Sequence, residues 1–186
     1  MSVGAGQDAG LYERLVGEGW RGLDGPVRRF HAGARGRGSF EVRRGRGLFA
    51  RAVARLMRLP SNGEAVPMLL SVEPFGGGER WRRNFAGGEF VTVQGERAGL
   101  MTERTGPFEL LFRLKAEGGA LLYEQEGAAL RVMSLRVRMP RALAPRVEAR
   151  ERADGEGVRV SVRVEAPLVG PLISYEGLVM TEEVAG

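Results

Sequence analysis

From Ala65 to the last residues, the chain reads as strand after strand, and this run limits the fold more than any other feature. The segments are AVPMLLSVEP, ERWRRNF, EFVTVQ, GLMTERT, PFELLFRLKAE, ALLYEQE, LRVMSLRVRM, RVEARERA, GVRVSVRVEA and PLISYEGLVM, with glycine-rich or proline turns between them. Several alternate cleanly. Val158, Val160, Val162 and Val164 oppose Arg159, Ser161, Arg163 and Glu165, while Phe108, Leu110, Phe112 and Leu114 oppose Glu109, Arg113 and Lys115. One face of each is expected in water and the other in a core. About ten such strands do not stay flat, so a strongly curved antiparallel sheet or an open β-barrel is expected.

Helical spacing is confined to the first 63 residues. Asp8 stands where a cap belongs, before Leu11, Tyr12, Leu15 and Val16, and Gly17 and Gly19 end that stretch. Asp24 and Pro26 start a second helix that carries Val27, Phe30 and His31 and stops at Gly33. GSFEVRRG is a brief strand. In GLFARAVARLMRLP, Leu48, Phe49, Ala52, Val53, Leu56 and Met57 form an apolar stripe beside Arg51, Arg55 and Arg58, and Pro60 marks the end. The expected class is therefore α+β: one domain over residues 1–186, with a mainly helical part over 1–63 packed against a β meander over 64–180.

At 186 residues, the chain is long enough to bury a real core. The absence of cysteine excludes disulfides, thiolate metal sites and thiol redox chemistry. His31 is the single histidine, so histidine-clustered metal sites are excluded and no metal or other cofactor is expected. No apolar run is long enough to span a bilayer, and MSVGAGQDAGLYERL lacks a signal-peptide pattern; a cytoplasmic protein is expected. The formal charge is +5, and Lys115 is the only lysine among 28 basic side chains. Gly33, Gly36, Gly38, Gly45 and Gly47 stand among Arg35, Arg37, Arg43, Arg44 and Arg46 in the most basic segment. A phosphate or nucleic-acid surface there is one reading and solvated turns the other. Only Phe40 is available for stacking and no nucleic-acid motif appears, so nucleic acid is not the favoured partner.

The chemistry concentrates in ERWRRNFAGGEFVTVQG. A hairpin loop at Ala86–Glu89 would set Phe85 against Phe90, Arg83 against Thr92 and Trp81 against Gln94. Arg80, Arg82, Asn84, Val91 and Val93 would take the wetter face. A guanidinium drawn into an apolar interior needs a partner, and Glu103 on the next strand is the candidate. An aromatic wall with a few convergent polar groups is how small-molecule pockets are built. The competing reading has Arg83 stacking on Trp81 at an ordinary sheet rim. His31 is either a general acid or base or a buried structural histidine. Tyr123, Tyr175 and Glu176 reach the interior or rim, with Tyr175 expected in the core beside Ile173 and Val179. Glu124 with Glu126, and Glu182 with Glu183, read as solubility features.

These segments, together with LYERLVGEGWRGLDGPVRRFHAG, GSFEVRRGRGLFARAVARLMRLP, ERTGPFELLFRL, LAPRVEARE and PLVGPLISYEG, resemble a bacterial family of unknown function. Its members stand alone or are fused to the C-terminal end of saccharopine-dehydrogenase-like reductases. The pattern residues Phe30, His31, Gly33, Trp81, Arg83, Phe85, Phe90, Gln94, Glu103, Gly106 and Pro107 are all present. The resemblance implies a grouping and a possible reductase-like partner domain, but no mechanism.

Three functions fit. The first is a binding domain holding an apolar or amphiphilic small molecule in a β-cup lined by Trp81, Arg83, Phe85, Phe90, Thr92, Gln94 and Glu103. The second is an enzyme using the same cavity, with His31 or Glu103 in proton transfer and Arg83 as an anion clamp. The third is a partner-docking module or a basic N-terminal phosphate or nucleic-acid surface.

Overall fold

The computed structural model describes residues 9–32, 35–56, 59–86, 88–133, 135–167 and 169–182. Its strands are β1 (Arg35–Arg44), β2 (Gly63–Phe75), β3 (Gly78–Phe85), β4 (Gly88–Arg97), β5 (Leu100–Thr105), β6 (Phe108–Glu117), β7 (Ala120–Val132), β8 (Leu135–Arg138), β9 (Arg146–Asp154), β10 (Gly157–Ala166) and β11 (Gly170–Thr181). Every pairing is antiparallel, and the order β6-β5-β4-β3-β2-β1-β11-β10-β9-β7 returns to β6. The result is a closed ten-stranded barrel, with β8 added to the outer half of β7. Closure leaves no free edge along the ring, which a cup or open barrel would have exposed.

Helices are minor. α1 (Leu11–Val16), a 3-10 turn over Gly17–Gly22 and α2 (Gly25–Ala32) cap one end, and α3 (Leu48–Leu56) packs on β11 and β1. An α+β description therefore overstates them. β1, expected as a brief strand in a helical region, is a full barrel stave joining β2 to β11. It fits there because Gly177, opposite Phe40, leaves room for the Phe40 ring; a Cβ on Gly177 would lie 2.5 Å from that ring. Phe40 then packs edge-on against Phe85 and Tyr175.

Three further expectations change. Among the described side chains of α3, Ala50 and Ala54 are the buried ones, whereas Leu48 of the expected stripe is 76% exposed. Small side chains let that helix sit close to the chain at Gly45, whose backbone N–H donates to the Leu172 carbonyl. Arg44 clamps the same corner by donating to the Leu59 and Pro60 carbonyls. Asp8, Gly33, Met57 and Arg58 lie outside the described residues, as do the side chains of Phe49 and Leu56. LRVMSLRVRM is two strands, with Met133 at positive φ in the turn between them.

Glu109, expected in water, is buried on the outer face of β6. Arg131 and Arg136 of the β7–β8 hairpin donate to its two oxygens at 2.9 and 2.5 Å, and Arg97 stands 3.9 Å away. Burial favours its neutral form, but these arginines outweigh that and hold its pKa below the ordinary carboxylate value. A lowered pKa contributes stability that is present above the unfolded value of about 4.3 and lost as pH falls through the folded value. Glu109→Gln is expected to cost about 1–3 kcal/mol in urea unfolding at neutral pH. The gap to the parent should shrink in acid; a gap that stayed constant would remove the ionised carboxylate from the account.

Candidate functional site

β3 and β4 place the residues singled out by alternation. Trp81 and Phe85 are buried on the inner face, with Arg83 between them, and Thr92 and Gln94 are buried beside them on β4. The register differs by two residues from that expected. Strand β3 ends at Phe85 and β4 begins at Gly88, so Phe85 pairs with Gly88, Arg83 with Phe90 and Trp81 with Thr92. An even slip keeps every side chain on its own face, and the inward set survives.

Arg83 donates to the Thr92 hydroxyl at 3.0 Å and lies 3.8 Å from a Glu103 oxygen. Its guanidinium sits 5.2 Å from the Trp81 ring centre and 5.8 Å from that of Phe90. The side chain is 15% exposed, so it points into the barrel interior and not out over the rim. Burial opposes the charge, but the oxygens of Tyr175, Glu103 and Tyr12 outweigh it and raise the Arg83 pKa.

The polar residues continue across the floor. Gln94 donates to Glu103 at 3.3 Å and accepts from the Tyr12 hydroxyl at 2.7 Å. Tyr123 donates to one oxygen of Glu151 at 3.0 Å, and His31 Nε2 meets the other at 2.5 Å. The His31 ring stacks on Tyr12 with centroids 3.7 Å apart, and its Nδ1 has no partner among the described residues. Burial, and then the charge of Glu151, push the phenols of Tyr12 and Tyr123 well above their ordinary value. Burial lifts Tyr175 to about 12, against the pull of Arg83. All three phenols are therefore neutral donors near neutral pH.

Tyr12 and Glu151 were not among the residues singled out in the sequence. RVEARERA carried a signal for Glu151, since its inward face reads Val147, Ala149, Glu151 and Ala153, with one carboxylate among small apolar residues. Tyr12 gives no such sign on an ordinary amphipathic helix.

Beyond this floor lies a cavity of about 390 Å³, within the roughly 300–1,000 Å³ usual for small-molecule sites. Its wall is almost wholly apolar, including Phe90, Phe108, Leu110, Val164 and Ile173. Leu143 belongs both to the wall and to the surface, being 56% exposed. A narrower space of about 60 Å³ continues inward past Arg83, Gln94, Tyr123 and Glu151. Glu103 and Tyr175 line both spaces and mark their junction. His31 lines neither, since its side chain has no exposed surface; it stands behind Glu151, which lines the narrower space.

A family model described as a domain of unknown function, DUF4166, matches residues 23–179. The chain belongs to the DUF4166 family. The match covers the whole barrel from β1 almost to the end of β11, whereas Tyr12, which completes the floor, precedes it. No curated protein and no solved structure matches the chain. Among the described residues of this DUF4166 barrel, no group of three or more histidine and carboxylate side chains could hold a metal ion. No described helix is long and apolar enough to cross a membrane. Glu124 and Glu126 pair with Lys115 and Arg113 on the outside, and Glu176 faces Arg159 there. Arg35, Arg37 and Arg43 on β1 also face outward.

Proposed function

We propose that this barrel is a binding domain for an amphiphilic small molecule. The apolar part occupies the outer cavity, and an oxygen-bearing head, a carboxylate or carbonyl, lies at the junction beside Arg83. The observation that carries this reading is the position of Arg83. It has five N–H donors and one hydrogen bond among the described residues, and it lines the narrow inner space just past the junction marked by Glu103 and Tyr175. An acceptor entering from the mouth would meet those remaining donors, with neutral Tyr175 as a further donor. Trp81 and Phe90 flank the guanidinium and keep its charge confined.

Native mass spectrometry of the purified protein, followed by denaturing extraction, tests this, with titration of a long-chain fatty acid such as oleate alongside. The parent should carry or take up one amphiphile, and Arg83→Leu should weaken uptake at least tenfold, the loss of one charge-assisted contact. Equal affinity in parent and variant would remove Arg83 from the site. Failure of both to bind any amphiphile would overturn the reading.

A second reading uses the same floor for proton transfer, with Glu103 as the base and Arg83 as the clamp on developing negative charge. It is favoured by the junction position of Glu103, within reach of anything held at Arg83. Incubating the extracted ligand with parent and Glu103→Gln distinguishes the two: turnover abolished by the variant supports catalysis, and an unchanged ligand supports binding alone. A reductase-like partner domain, as the resemblance implies, would be the natural donor or acceptor of such a ligand.

A further inference from the structure

The inner face of the barrel does not end at its rim. β7 pairs with β9 only over Leu121–Tyr123, then runs on beside β8. Along that hairpin Leu130 is paired with Val137 and Val132 with Leu135, so these four share one face. Leu130 lines the outer cavity, whereas Val132, Leu135 and Val137 are 56%, 68% and 56% exposed. Met133 at the tip is 96% exposed. An apolar ramp therefore leads from solvent into the cavity, and Leu143 adds to it at the rim.

The opposite face of the hairpin carries Arg131, Arg136 and Arg138; the first two grip Glu109 and fix the ramp relative to the mouth. Residues 127–147 contain five arginines and no aspartate or glutamate. Arg138, Arg141 and Arg146 are exposed, and among the described residues none pairs with a carboxylate. Exposed valine, leucine and methionine on one face of this hairpin, with unpaired arginines on its back and along the adjoining loop at the entrance of an apolar cavity, match an anionic lipid surface. The apolar side chains enter the acyl boundary while the guanidiniums stay at the headgroups.

We propose that the β7–β8 hairpin and the 140–146 loop dock on the surface of an anionic bilayer, so that an amphiphile passes between the lipid and the barrel along the ramp. This rests on the binding reading above for the nature of the cargo, but the docking surface is tested separately. The probe is co-sedimentation with vesicles of phosphatidylcholine containing phosphatidylglycerol as the minor component, against pure phosphatidylcholine. The parent should sediment with the anionic vesicles. The double variant Leu135→Ser, Val137→Ser should lower partitioning at least tenfold through lost apolar contact. Arg138→Gln and Arg141→Gln should each lower it roughly fivefold. Leu69→Ser, which removes a 61% exposed leucine from β2, should leave it unchanged. Matching thermal melts confirm that the variants fold.

No sedimentation by the parent, or equal sedimentation by the hairpin variants, overturns the proposal. So does a hairpin-dependent dimer in gel filtration with no vesicle binding, which would assign the face to a second copy of the chain. Oleate uptake without vesicle binding would sink docking and leave the cavity reading intact. Hairpin-dependent vesicle binding with no amphiphile retained would do the reverse.

Discussion

Trp81→Ala is expected to destabilise the barrel by about 3–5 kcal/mol, since a fully packed tryptophan is replaced by a cavity that its neighbours cannot fill. Trp81 is 2% exposed, with ring centres of Phe30, His31 and Tyr12 at 5.5, 5.7 and 6.0 Å. Those three belong to the capping helices, so Trp81 is the point where the helical cap and the sheet lock together. Its indole N–H donates to Glu79 at 2.9 Å, and loss of the ring also strips one wall from Arg83. The urea midpoint should fall with an unchanged slope, and the melting temperature should drop by roughly 6–20 °C. A shallower slope would mean that the helices detach before the barrel opens. A cost below about 1 kcal/mol would show that the floor collapses around the gap, and Trp81 would then be no keystone.

The face of Trp81, Arg83 and Phe85 was legible because a strand has a period of two and needs no knowledge of its partners. The register was not, because it depends on where the turn closes, yet the two-residue slip cost nothing in facing. Closure itself is a long-range event. The pairing of β1 with β11 joins residues about 140 apart in sequence, and no local pattern announces it. The hairpin at Met133 escaped because its described turn residue is neither glycine, proline nor asparagine, the usual markers. Burial of Glu109 escaped for a related reason. Alternation placed it on the outer face, as found, but the arginines that cover it arrive from a hairpin 22 to 27 residues away. In α3, the apolar stripe pointed to Leu48, whereas the close approach at Gly45 favours Ala50, and Leu48 lies in water.

The link from His31 to Glu151 spans 120 residues, and its disruption is expected to be the costliest polar change in the molecule. Glu151→Leu keeps most of the volume but leaves His31 Nε2 without an acceptor, in a region where water does not reach His31, and leaves the Tyr123 hydroxyl only a long 3.4 Å contact to the Tyr12 hydroxyl. At about 1–3 kcal/mol for each weakened or abandoned group, the loss should be about 2–6 kcal/mol. His31→Phe alone should cost less, because Tyr123 still donates to Glu151. Combined with Glu151→Leu, it should recover at least about 1 kcal/mol relative to the sum, since the double variant removes a donor that the single variant strands. Such coupling would make the histidine a structural tie between cap and barrel, and would place proton transfer, if the cavity performs any, on Glu103. Additive losses would argue otherwise. Buried polar pairs are often no more stabilising than the apolar residues that could replace them. A His31–Glu151 pair that contributes nothing to stability, yet whose loss abolishes turnover of the bound ligand, would owe its place in the barrel to chemistry.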